Sequence, residues 1–229
     1  MMNHENLESP ATTEQELAER YVAMAYDKQE SMEEVLKGTA WNIDLAAGTI
    51  SFGPERVFPV QVLGSFNKLA NTWLWAWENT KSPIPEAMMQ QARQLRAYGE
   101  QHGLQLFTVG RYDATVRDTL FLGSIALGMF GSSAYYLADY GNGMLLLTME
   151  SEEIDQLPKI DLDRIVRIFT QVTTSYEVRP RPALLHYLAQ KGYAAVETAN
   201  NITAEVDAGT IVAAFSNQGS LTELRARTR

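Results

Sequence analysis

Apolar residues recur at three- and four-residue steps from Leu17 through Tyr21, Met24, Ala25, Met32, Val35 and Leu36, with Gly38 beyond them as a stop. This spacing predicts an amphipathic helix that starts near Glu14. Asp27, Glu30, Glu33 and Glu34 form a charge run on it. The run reads as a solvated helix face, with attraction of a basic partner as the competing use. From Ala40 the period changes to two. Trp41, Ile43 and Leu45 alternate with Asn42 and Asp44, Ala46-Ala47-Gly48 turns, and Thr49 to Phe52 returns as the second strand of a hairpin. Val57 to Leu63 is a further strand that Pro59 places at an edge or beside a bulge, and Asn67 to Asn71 is a polar loop. Thr72 to Trp77 reads as a strand with Trp73, Trp75 and Trp77 on one face, which completes a meander of about four strands.

Ser82-Pro83-Ile84-Pro85 opens a helix with Met88, Ala92, Leu95 and Tyr98 or Gly99 on one stripe and Gly103 as its stop. Leu104 to Val109 reads as a short strand or extended link, and Asp113 as the cap of an apolar helix that runs to about Phe130. Ala134 to Asp139 and Met144 to Met149 flank Tyr140-Gly141-Asn142-Gly143, a hairpin turn. The acidic stretch Ser151 to Lys159, with Pro158, is the place for a boundary. Beyond it a helix opens at Asp161, Arg179-Pro180-Arg181-Pro182 breaks it, and Ala183 to Gln190 forms another. Strands follow at Tyr193 to Glu197, at Ile202 to Phe215 bent around Asp207-Ala208-Gly209, and at Leu221 to Arg225. The expected fold class is α+β, an antiparallel β-meander with packed helices followed by a smaller α-then-β unit. Its divisions are a loose tail over 1–13, a module over 14–152 with the Trp-rich strand, and a C-terminal unit over 153–229.

Composition narrows the function classes. The chain has 229 residues, 45% of them hydrophobic and 21% charged, the balance of a folded protein with a core. It has no cysteine, which removes disulfides, thiolate metal sites and cysteine nucleophiles and suits a reducing compartment. With 28 Asp and Glu against 19 Lys and Arg the net charge is −9, so nucleic acid and anionic membrane surfaces are disfavoured partners. Glu5, Glu8, Glu14, Glu16 and Glu19 occupy the stretch where a secretory signal needs a basic start and an apolar run. The longest apolar run, Thr119 to Phe130, is too short to span a bilayer. The expected location is the cytoplasm. Arg164, Arg167, Arg179, Arg181, Arg225, Arg227 and Arg229 make the C-terminal end basic against the acidic first helix, which suits solubility and pairing of the two ends with each other, with an anion or a partner's acidic helix as the competing use.

Familiar catalytic patterns do not assemble. His4, His102 and His186 have no partner at ligand spacing, so no metal is expected, and no Gly-rich phosphate loop or nucleophile elbow occurs. No cofactor is implied. Gly131-Ser132-Ser133 lacks a histidine base and reads as a helix-to-strand turn. The tryptophans are the prominent feature. Trp73, Trp75 and Trp77, joined by Trp41, either fill the core or wall a ligand pocket in which Asp44 or Glu78 is the polar group.

Lys28-Gln29-Glu30, Trp41-Asn42-Ile43-Asp44-Leu45, Gly48-Thr49-Ile50-Ser51-Phe52, Gln61-Val62-Leu63-Gly64, Thr72-Trp73-Leu74-Trp75-Ala76-Trp77, Arg96-Ala97-Tyr98-Gly99-Glu100 and the pair Tyr135-Tyr136 carry a resemblance. Together they resemble a bacterial family of uncharacterised proteins, a domain of unknown function numbered six-eight-eight-two, over about residues 16–150. The resemblance implies no activity, cofactor or catalytic residue. The leading expectation is therefore a non-catalytic binding or protein-interaction module, with a protein partner or a homo-oligomer. The alternative is an enzyme or small-ligand protein with the Trp-walled pocket.

Overall fold

The structure, a computed structural model, describes residues 9–82, 84–156, 162–206 and 208–228. The expectations placed on residues 1–8 (His4 among them), Pro83, Pro158, Lys159, Asp161, Asp207 and Arg229 lie outside these. The fold is α+β with antiparallel sheets. Contacts divide the chain into two compact units, one of residues 28–156 and a composite one of residues 1–27 with 157–229. Helix α1 (Glu14–Leu36) enters both, through Asp27 in the composite unit and from Lys28 in the other. It ends where Lys37 and Gly38 adopt positive φ.

In the 28–156 unit, β1 (Trp41–Asp44) and β2 (Thr49–Phe52) form the expected hairpin. The next strand, β3 (Arg56–Asn67), is twelve residues long. It pairs with β2 through Arg56 to Pro59 and with β4 (Thr72–Trp75) through Gly64 to Asn67. It therefore lies inside the sheet rather than at the edge that Pro59 suggested. Proline is tolerated because it sits where pairing with the later strand β7 has ended; only its carbonyl is engaged on that side, accepting from Glu150 N at 3.3 Å. A register shift between Val62 and Gly64 supplies the bulge.

The Trp-rich strand is shorter than its alternation suggested. It stops at Trp75, and Ala76–Glu78 is a 3-10 turn, so Trp77 leaves the strand. Helix α2 (Gln90–His102) ends on Gly103 at φ 73°. Leu104 to Val109 is not extended but holds α3 (Gln105–Thr108), and Asp113 lies in β5 (Arg111–Asp113). The cap of α4 (Val116–Phe130) is instead Thr115, in a reciprocal capping box with Asp118. A hydroxyl followed three residues later by a carboxylate satisfies two free N–H groups of the first turn. The hairpin β6 (Ala134–Asp139) and β7 (Gly143–Met149) joins the sheet through β7 on β3, and α5 (Glu152–Asp155) follows. The sheet runs β1-β2-β3-β4-β5, with β7 on β3 and β6 on β7.

In the composite unit, α6 (Leu162–Ser175) and α7 (Pro180–Gln190) precede a four-stranded sheet. Its strands are β8 (Ala195–Glu197), β9 (Asn201–Val206), β10 (Gly209–Phe215) and β11 (Leu221–Thr228), in the order β11-β10-β9-β8. Ile202, Ala204, Ile211, Ala213 and Phe215 alternate with half-exposed or exposed neighbours and are buried, as are Ile165, Ile168, Phe169 and Val172 of α6. One sheet face is thus packed and the other open.

Candidate functional site

The structure brings Trp73, Trp75 and Trp77 together and places Trp41 elsewhere. Trp73 and Trp75 are fully buried. Their rings meet edge to face at 5.4 Å, and Trp75 also meets Phe107 at 6.2 Å and donates its indole N–H to Leu106 O at 3.2 Å. Trp77 stacks on Trp75 at 6.3 Å, and the Arg96 guanidinium lies 4.4 Å from the centre of its ring. The indole nitrogens of Trp73 and Trp77 are buried with no hydrogen-bond partner among the described residues. Trp41 belongs to a different cluster, edge to face with Tyr136 at 6.5 Å, where Phe52 and Phe58 also meet. Asp44 accepts from the N–H groups of Ala46 and Ala47, both at 2.9 Å, so its carboxylate shapes its own turn. The Glu78 side chain covers Gly110 so closely that a Cβ there would lie 2.7 Å from its Cγ.

The turn after α4 is a hydrogen-bonded knot. Ser133 is buried, donates to Asp155 Oδ2 at 2.7 Å and accepts from Ser151 N at 2.8 Å. Lys28 reaches the same carboxylate at 3.2 Å and Ser132 O at 2.7 Å, and Gln29 exchanges two hydrogen bonds with the backbone of Tyr135. These side chains are committed to holding α1 against β6, an arrangement that leaves the Ser133 hydroxyl engaged as both donor and acceptor.

A second cluster, in the composite unit, overturns the solvated reading of the charge run at one of its members. Asp27 is buried. It pairs with Arg164 Nε at 2.6 Å, accepts from the Tyr187 hydroxyl at 2.8 Å and pairs with Lys191. One turn pair earlier, buried Glu19 takes a fork of hydrogen bonds from Arg179 at 2.7 and 2.8 Å. Arg164 and Arg179 thus pair with the first helix inside this unit, whereas Arg181 pairs with Glu197 and Arg225 with Glu223. Helical periodicity alone ranks carboxylates as outward; what reverses this at Glu19 and Asp27 is a supply of cations from α6, α7 and their flanks. Nearby His186 has its pKa lowered to about 4, chiefly by burial and also by Arg20, with Glu19 opposing.

Two exposed large apolar side chains lie at one end of the larger sheet. Leu69 is 79% exposed and Tyr140 58% exposed, each at the tip of a hairpin turn. The two turns are fastened together: Lys68 N donates to Asn142 O at 3.1 Å, and Lys68 pairs with Asp139. Asn71, at φ 49°, accepts from Ala114 N at 2.8 Å, which ties the turn to the start of α4 and its exposed Val116. Asn67 and Asp139 each accept backbone N–H groups two residues on, so both tips are ordered by their own side chains. Sequence reading missed this surface because Asn67 to Asn71 scored as a polar loop. The available signal was a leucine at the centre of that loop.

The sequence model of a family described as "Family of unknown function (DUF6882)" matches residues 15–150. The match covers more than half of the chain, which therefore belongs to that family. No curated protein and no solved structure matches it.

Proposed function

From membership of a family that brings no activity with it, we propose that this chain is a non-catalytic protein-interaction module whose contact surface is the turn end of the 28–156 unit. The observation that carries this reading is the exposure of Leu69 and Tyr140 on turns locked to each other. Large apolar side chains carried in water on turns whose backbones are already fixed need no further ordering of the backbone when a partner covers them, which suits an interface anchor. Lys68 and Asp139 supply a polar margin beside them. Support also comes from the carboxylates and hydroxyls that chemistry would need: Asp44 is spent on its turn and Ser133 on its knot. The test is a photo-crosslinking amino acid placed at Leu69 or Tyr140 of the full chain in its own cells, with exposed Gln101 on α2 as the control. One discrete protein adduct from both turn positions and none from the control is the expected result. Adducts no stronger at the turns than at Gln101 overturn the reading.

A further inference from the structure

The two edges of the smaller sheet are protected unequally. Strand β8 is three residues long, and its Glu197 is held by Arg181 at 3.2 Å. Strand β11 has eight residues, all half or fully exposed, and ends the strand order with β10 as its neighbour on one side. Its ladder with β10 is regular from Glu223 to Thr228, beyond a register shift near Thr222. A long edge that presents backbone donors and acceptors is a template for another strand.

We infer that β11 pairs antiparallel with β11 of a second copy of this chain, about a twofold axis at Leu224, so that two four-stranded sheets become one of eight strands. The occupant follows from self-complementarity. Glu223 and Arg225 face the open side of the sheet, opposite Ala214 and Val212, and Leu224 faces the packed side, opposite Ala213. A twofold axis perpendicular to the sheet keeps faces, so each residue must oppose one an even number of places away. With the axis at Leu224, Glu223 lies opposite the partner's Arg225 and Arg225 opposite the partner's Glu223, with no like charges facing. Moving the axis to Glu223 sets Glu223 opposite the partner's Glu223, and moving it to Arg225 sets Arg225 opposite the partner's Arg225. Within one chain Glu223 and Arg225 form only an exposed pair at 3.1 Å, which binds them weakly and leaves both free to re-pair across the axis.

The experiment is sedimentation equilibrium of the full chain and two charge reversals. The wild type should dimerise in the micromolar range, and Glu223→Arg and Arg225→Glu should each weaken dimerisation about tenfold or more. Mixing the two single variants should restore a heterodimer, and Glu223→Arg/Arg225→Glu in one chain should restore the homodimer. Misfolding of a variant cannot mimic recovery on mixing. A wild type that stays monomeric at 100-fold higher concentration than about 1 μM, or a dimer that neither reversal weakens, overturns the inference.

Discussion

Gly64 lies beneath Trp73 so closely that a Cβ at this position would stand 2.5 Å from a Trp73 ring carbon and 2.5 Å from the Leu74 carbonyl. Neither neighbour can yield cheaply, because one is backbone and the other a fully buried indole. Gly99 against Phe107 and Gly123 against Tyr135 repeat the arrangement, at 2.7 Å in each case. Gly64 and Trp73, which both carry the family resemblance, thus meet as packing partners, while Gly99 and Tyr135 meet Phe107 and Gly123, which do not carry it. The identities of these residues were legible in the sequence; the contacts were not, since each joins different strands or helices. Gly64→Ala is expected to cost about 1–3 kcal/mol as overpacking, read as a lower urea midpoint in tryptophan fluorescence. An unchanged midpoint would mean that β3 and β4 separate without strain.

At the level of elements, α1 was legible from end to end because its apolar steps, its length and its Gly38 stop all agree. The Trp-rich strand was only half legible. Its alternation continues through Trp77, but the chain turns into a 3-10 helix after Trp75, with Trp77 placed against Trp75 and Arg96 by tertiary contact. What α1 does was also hidden, since a carboxylate on a helix gives no sign of which cations lie across from it. Asp27 is the counter-charge for two cationic side chains that are themselves nearly buried, Arg164 and Lys191. Removing it leaves them uncompensated. Asp27→Ala and Asp27→Asn should therefore both destabilise the composite unit by about 3–5 kcal/mol, read as faster hydrogen exchange in α6 and α7. Protection equal to wild type in either variant would show that water already serves these cations.

Across the whole molecule, the net charge of −9 is unevenly placed. Residues 28–156 hold nine basic and fifteen acidic residues, net −6, while the composite unit holds ten and thirteen, net −3. In the latter the arginines near the acidic helix are absorbed in ion pairs. Stability should carry the mark of His186, whose pKa is about 4 in the fold against an ordinary 6.5. Between those values the unfolded chain binds a proton that the native one refuses, so this contribution is fully present above pH 6.5 and is lost as pH falls towards 4. Allowing for partial solvent screening, the loss is about 1–2 kcal/mol. Glu16, held below its ordinary value of 4.5 mainly by the Thr12 backbone, adds a loss only at lower pH. Denaturation from pH 7 to 4 should show the earlier loss in wild type and a flatter curve in His186→Gln; identical curves would remove His186 as its source.

What the sequence by itself determined is the fold class, the helices and hairpins with strong local periodicity, and membership of the family, because each is written in residues close together along the chain. Only the tertiary structure decided which carboxylates are buried, which tryptophans share a cluster, and that Leu69 and Tyr140 are exposed on two turns fastened to each other. Those outcomes depend on what lies across from a side chain after folding. The hydrogen-bonding and ion-pair partners of Asp27, Arg164, Tyr187 and Lys191, are more than a hundred residues away in sequence, and no local pattern records them.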